Sequence, residues 1–131
     1  MRLINRLSVT VTTLFACCLT SCGQHGFRTV DADEFEKAIL ADTVQLVDVR
    51  TADEFKTARI GLGTAKNIDM KRADFMEQAA RELDKCKTVA VYCRSGRRSA
   101  EAAGRLDEAG FKVIDLKGGI LEWQARGKTT K

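Results

Sequence analysis

From residue 27 onward, apolar positions fall into two alternating periodicities. Short runs that suit a buried strand occur near Phe27–Val30, at Thr43–Val49, at Val89–Tyr92 and at Val113–Leu116, with a weaker one at Ala65–Ile68. Between them lie stretches in which apolar residues recur every three or four positions, the helical spacing. Asp31 followed by Glu34 is a capping-box pattern that opens a helix carrying Phe35, Ala38 and Ile39 on one face and ending near Ala41. Thr51 caps a short helix through Phe55. Ala73–Leu83 turns Phe75, Met76, Ala79, Ala80 and Leu83 inward. Ser99–Ala109 is followed by Gly110, where a C-terminal glycine belongs. Gly118-Gly119 turn the chain into a last helix, Ile120–Ala125, and a polar tail, 127–131, is expected to fray.

Strands that alternate with helices predict an α/β domain with three layers, a central, mostly parallel five-stranded sheet with helices on both faces. The 131 residues suffice for one such domain. The formal charge is +4; without Arg2 and Arg6, which lie in a leader, 20 basic residues face 18 acidic ones. That balance is too mild to point to nucleic acid.

The leader reads MRLINRLSVTVTTLFACCLTSC. Arg2 and Arg6 precede an apolar stretch, Leu7–Leu19, shorter than the roughly 20 residues of a membrane span. It fits a cleaved export signal. Its end, Leu19-Thr20-Ser21-Cys22, resembles the lipobox of bacterial lipoproteins, in which the cysteine becomes the lipidated N-terminus. The expected organisation is a signal peptide over 1–21, a lipidated Cys22 and tether over 22–26, and the domain over 27–126. Such a protein is exported and anchored by lipid in the cell envelope, facing the periplasm; Gly23 in place of an aspartate favours the outer membrane.

Cys17, Cys18 and Cys22 belong to the leader, so only Cys86 and Cys93 lie in the domain. They flank one strand, and seven residues of strand separate them by roughly 20 Å. A disulfide needs Cα atoms within about 7 Å. Cys93 therefore reads as a free thiol and Cys86 as a bystander at a strand entry. No residues have metal-ligand spacing, and the one histidine, His25, sits in the tether. No cofactor is expected.

Cys93 ends a strand and is followed by Arg94-Ser95-Gly96-Arg97-Arg98-Ser99 before the next helix. In a parallel sheet, ligands bind beyond the carboxyl ends of the strands. Gly96 lets the loop bend so that backbone N–H groups turn inward, and the following helix adds its unpaired amides. Amides and guanidinium groups together favour the thiolate, which is the nucleophilic form. A Cys-His pair is excluded for want of a histidine in reach. Core packing does not call for so dense a positive loop.

The stretch Tyr92-Cys93-Arg94-Ser95-Gly96-Arg97-Arg98-Ser99-Ala100 resembles the active-site loop of the rhodanese family of sulfurtransferases. Leu46-Val47-Asp48-Val49-Arg50 with Asp53-Glu54-Phe55 resembles the family's strand and acidic helix. Gly110-Phe111-Lys112-Val113, Leu116-Lys117-Gly118-Gly119-Ile120 and Trp123 resemble its C-terminal signature. The three motifs cover about 27–126. The resemblance implies that Cys93 takes a sulfur from a small anionic donor such as thiosulfate, becomes a persulfide, and passes the sulfur to cyanide or a thiol. It implies that Arg94, Arg97 and Arg98 attract the anion, that the amides of Arg94 to Ser99 cradle the persulfide, and that Arg98 also holds the loop's shape. Asp48 and Arg50 are expected to tie the preceding strand end to the loop, and Trp123 to be core.

One segment departs from the family pattern. Ala58-Arg59-Ile60-Gly61-Leu62-Gly63-Thr64-Ala65 puts Arg59 at a histidine position, lacks the usual proline and carries about two extra residues. It is expected near the rim of the site. Three other functions compete. A phosphatase or arsenate reductase would place five residues between cysteine and arginine, whereas four lie between Cys93 and Arg98. A non-catalytic binding module would not need the cysteine. A redox or sulfur carrier to a protein partner shares the loop and differs only in its acceptor.

Overall fold

The computed structural model describes residues 26–131. The expected export signal, the lipidated Cys22 and His25 lie outside the described residues. Five strands, β1 (Arg28–Val30), β2 (Val44–Asp48), β3 (Lys66–Asn67), β4 (Thr88–Tyr92) and β5 (Val113–Leu116), form one sheet in the order β1-β5-β4-β2-β3. Every pairing within it is parallel. Five helices connect them: α1 (Ala32–Ile39), α2 (Ala52–Thr57), α3 (Phe75–Glu82), α4 (Arg97–Glu108) and α5 (Gly119–Ala125).

The alternation along each strand divides the core in two. Val47, Val89, Val91 and Val113 pack with Phe75 and Ala79 of α3 and with Ala102, Ala103 and Leu106 of α4. Leu46, Ala90, Tyr92, Ile114 and Leu116 pack on the other side with Phe35 and Ile39 of α1 and with Ile120 and Trp123 of α5. Trp123 is fully buried and meets Phe35 edge to face, at 6.4 Å between ring centroids, so it is core as expected. From β2 the chain moves outward to β3, and from β4 it moves the other way to β5. The strand order thus reverses between β2 and β4, and the crevice at their carboxyl ends is where such a sheet binds ligands.

Several local expectations are corrected. Asp31 caps α1 by accepting from Glu34 N at 2.8 Å, but the Glu34 carboxylate is taken by Arg28, also at 2.8 Å, so the box stays half-formed. Ala80 faces solvent, because Phe75, Ala79 and Leu83 already define the buried stripe of α3. α4 starts at Arg97, two residues early, since the Gly96 carbonyl already accepts from Ala100 N at 3.2 Å. The polar tail does not fray. Arg59 and Lys131 exchange two backbone hydrogen bonds of 2.9 Å, Thr129 O accepts from Gly61 N and from the Trp123 indole, and Lys128 pairs with Asp33 and Glu36 of α1. Its composition is that of a loose end, but its backbone is bound by the departing 58–61 segment.

Candidate active site

Cys93 follows the last residue of β4, the central strand, and is a fully buried free thiol. Gly96 N donates to its sulfur at 3.1 Å. This requires a left-handed turn, and Gly96 has φ 98°, which a side chain rarely allows. The cradle expected from Arg94 to Ser99 is represented among the described bonds by this one amide. Cys86 is not the bystander expected: it has a partner, and that partner is not Cys93.

The outside of the loop is held by α5. Cys93 O accepts from Ile120 N at 2.9 Å and Arg94 O accepts from Leu121 N at 3.2 Å. In a trans peptide the N–H points away from the carbonyl, so binding these carbonyls to α5 turns the following amides the other way. Gly119 makes the contact possible. A Cβ there would sit 2.4 Å from Arg94 O and 2.6 Å from Cys93 O, far inside contact distance. The sequence marks Gly119 only as a turn; its closeness to the loop comes from the packing of β5 beside β4.

The three arginines of the loop differ. Arg94 and Arg97 are exposed, as is Ser95, and neither arginine forms an ion pair among the described residues. Arg98 is bound to Glu54 of α2 through two hydrogen bonds of 2.8 Å, a bidentate pair that ties the first turn of α4 across the crevice. Glu54 also completes a capping box with Thr51, accepting from its backbone N–H and its hydroxyl. The Arg98 hydrogen bonds hold the Glu54 carboxyl down at about 2, against a smaller opposing effect of burial. Sequence reasoning set Glu54 in an acidic helix without a role. Its available signal was the Thr51-x-x-Glu54 spacing, which names a cap but not the distant partner.

Asp48 and Arg50 form no surface ion pair. Both are buried, joined by bonds of 2.9 and 2.6 Å, and Arg50 Nη2 also donates to Ala58 O at 2.6 Å. The guanidinium lies 5.6 Å from the centre of the Tyr92 ring, and Asn67 donates to the carbonyls of Asp48 and Arg50. The pair therefore fastens the end of β2 to Tyr92 and to the departing segment, while Asn67 ties the same stretch of backbone to β3; neither reaches the cysteine loop directly. The Tyr92 hydroxyl accepts from Ile60 N at 3.2 Å, and burial pushes the phenol's pKa up, so it stays protonated. A groove of about 330 Å³ beside the loop is lined by residues that include Arg50, Glu54, Ala58, Arg94 and Leu121. Ala58 thus brings the departing segment to its rim.

A family model, the rhodanese-like domain, matches residues 31–126. The chain belongs to the rhodanese family. Thiosulfate sulfurtransferase 18 of Arabidopsis thaliana is 33% identical over 97 residues, covering 66% of this chain and 71% of that protein. A sulfurtransferase of Allochromatium vinosum is 36% identical over 91 residues, covering 67% and 80%. Among solved structures, a rhodanese-related protein from Thermoplasma volcanium superposes with a TM-score of 0.68 at 28% identity, covering 80% of this chain and 98% of its own. The expected three-layer fold is therefore shown by both the topology and the solved structures of the family.

The Glu54–Arg98 pair makes a pH-dependent prediction. A carboxyl held below its ordinary value of 4.5 stabilises the fold fully above that value and progressively less as the pH falls toward 2. Glu54→Gln keeps the cap geometry and loses the charge. It is expected to lower stability at neutral pH by about 1–2 kcal/mol, after allowance for partial exposure of the pair. Denaturant titrations of the two proteins should converge below pH 4.5. Equal stability at neutral pH contradicts this role.

Proposed function

We propose that this member of the family moves a sulfane sulfur from a donor such as thiosulfate to a thiophilic acceptor, cyanide or a thiol, through a persulfide on Cys93. The observation that carries the reading is the Gly96 N–H aimed at a lone cysteine sulfur at the carboxyl end of the central strand. In the first step the Cys93 thiolate attacks the outer sulfur of thiosulfate. A new S–S bond forms, the old one breaks, and sulfite leaves with the electron pair. In the second step the acceptor attacks the outer sulfur of the persulfide, and the Cys93 thiolate leaves. No electrons enter or leave the system.

The arginines divide this work. Arg94 and Arg97 are exposed on the loop, so an anionic donor meets their charge before it meets the buried sulfur. Their positive field favours the anion's approach and the departure of sulfite. Arg98, committed to Glu54, keeps the loop's shape. Ser95, Gly96 and Ser99 contribute backbone and fit. Asp48 and Arg50 hold the strand end from which the groove is built. The membrane is the remaining partner of this proposal: the Leu19–Cys22 sequence supports export, lipid attachment at Cys22, and a place in the periplasm at the outer membrane.

Cys93→Ala is expected to abolish thiocyanate formation from thiosulfate and cyanide while the melting temperature holds; activity comparable to the parent sinks the mechanism. Arg94→Ala is expected to raise KM for thiosulfate about tenfold with kcat little changed, since it removes ground-state attraction and not the nucleophile. A collapsed kcat at constant KM contradicts that assignment. In cells, the parent should incorporate labelled palmitate and Cys22→Ser should not; label retained in Cys22→Ser refutes the anchor.

A further inference from the structure

Beneath the cysteine loop lies a buried acid that the chemistry above does not use. Asp115, in β5, is 2% exposed and pairs in register with Val91 of β4 and Thr29 of β1. Val91 and Cys93 are two residues apart on β4 and its extension, and both pack on the α3–α4 side of the sheet. Asp115 is two residues beyond Val113, which packs on that same side, so its carboxyl points under the first turn of α4. One carboxyl oxygen, Oδ2, accepts from the Thr29 hydroxyl at 3.2 Å. The other, Oδ1, is buried and has no partner. Asp115 forms no ion pair among the described residues. Burial pushes its pKa up, against smaller opposing effects from the nearby Ser99 and Thr29 hydroxyls.

Ser99 is the residue above it. It is fully buried in the first turn of α4, and its hydroxyl donates to Gly96 O at 3.3 Å, longer than a good O–H···O bond. Gly96 is the residue whose N–H touches the Cys93 sulfur. One hydroxyl proton therefore has two acceptors within reach: Gly96 O, bonded weakly, and the Asp115 carboxyl, which feels the Ser99 hydroxyl although no bond of ordinary length joins them. A persulfide adds a second sulfur atom to a site in which Cys93 is already fully buried. Making room for it means easing the loop at Gly96, and a buried hydroxyl that simply lost Gly96 O would be left unpaired.

We propose that Asp115 is a positioning residue for the Cys93 loop, its unused carboxyl oxygen being the reserve acceptor that takes the Ser99 hydroxyl when the loop yields to the persulfide. The proposal rests on the sulfurtransferase reading for its persulfide, and its geometry involves only Asp115, Ser99, Gly96 and Cys93. A purely structural role makes the opposite prediction: the one hydrogen bond of the acid comes from Thr29, an exposed residue whose hydroxyl can turn to water, so an apolar residue of suitable shape is neutral or stabilising and should leave catalysis alone.

The test uses the full chain and the variants Asp115→Val, Asp115→Asn and Ser99→Ala. Asp115→Val should melt no lower than the parent yet lose about tenfold in kcat with thiosulfate and cyanide, the effect of one unpaired buried group, while KM for thiosulfate stays within about twofold. Asp115→Asn, which still offers an acceptor, should recover kcat to within about threefold of the parent. In the Ser99→Ala background Asp115→Val should have no further effect. The time profile of Cys93 alkylation by iodoacetamide, which also adds bulk at the buried sulfur and so asks the loop to yield, should slow in Asp115→Val and recover in Asp115→Asn. That readout separates the two claims: a parent inactive with thiosulfate whose alkylation profile still depends on Asp115 sinks the donor assignment and supports the positioning role. A folded Asp115→Val with the parent's kcat and alkylation profile overturns the proposal, as does an equal loss in the Ser99→Ala background. Asp115→Ala, which cannot overpack the site, decides the same questions if the valine variant does not fold.

Discussion

The cysteine loop is bound to α5 through its own backbone. Ile120 N and Leu121 N hold the carbonyls of Cys93 and Arg94, and this is possible only because Gly119 has no Cβ to meet those carbonyls. The contact depends in turn on β5 lying beside β4 in parallel register, since α5 follows directly from β5. The orientation of the loop, the inward Gly96 amide and the outward display of Arg94 and Arg97 all follow from those two carbonyls being occupied. A reactive thiol here is less a property of one residue than of a strand end, a loop and a neighbouring helix start brought together by sheet order.

Ion pairs complete the frame at two depths. Near the surface, Glu54 and Arg98 span the crevice from α2 to α4, closing one side of the loop. Deeper, Asp48 and Arg50 are buried, so removing either one alone would strand a charge, at a cost of about 3–5 kcal/mol. The extra hydrogen bonds of the two charged groups, from Arg50 Nη2 to Ala58 O and from Arg50 N to Asp48 Oδ1, make the burial tolerable. The departing segment at 58–65 is thereby built into the frame. Arg59 lays its guanidinium over the Phe55 ring at 4.9 Å, and its backbone is bonded to Lys131 of the tail.

Much of this was legible in the residues. The spacing of apolar positions located all five strands and all five helices, because each element buries a face whose period is set by its own geometry. The cysteine, the loop glycine and the three arginines were legible because no packing need explains them together. What stayed hidden depends on contacts between distant parts of the chain. The partner of Arg98 is 44 positions away, and that of Gly61 is in the tail. Asp115 reads in sequence as one polar residue in a short strand; only the register against Val91 and the burial of Ser99 set it beneath the loop. The tail misled because polar composition reports side chains, whereas its order comes from backbone hydrogen bonds.

The persulfide is the claim on which the functional account stands, and intact mass reads it directly. The reduced protein is weighed before thiosulfate, after it, and again after cyanide, with peptide mapping of any adduct. The account predicts a gain of one sulfur atom on Cys93 that cyanide removes. A folded, reduced protein that gains no sulfur, or gains it at Cys86 instead, would contradict it.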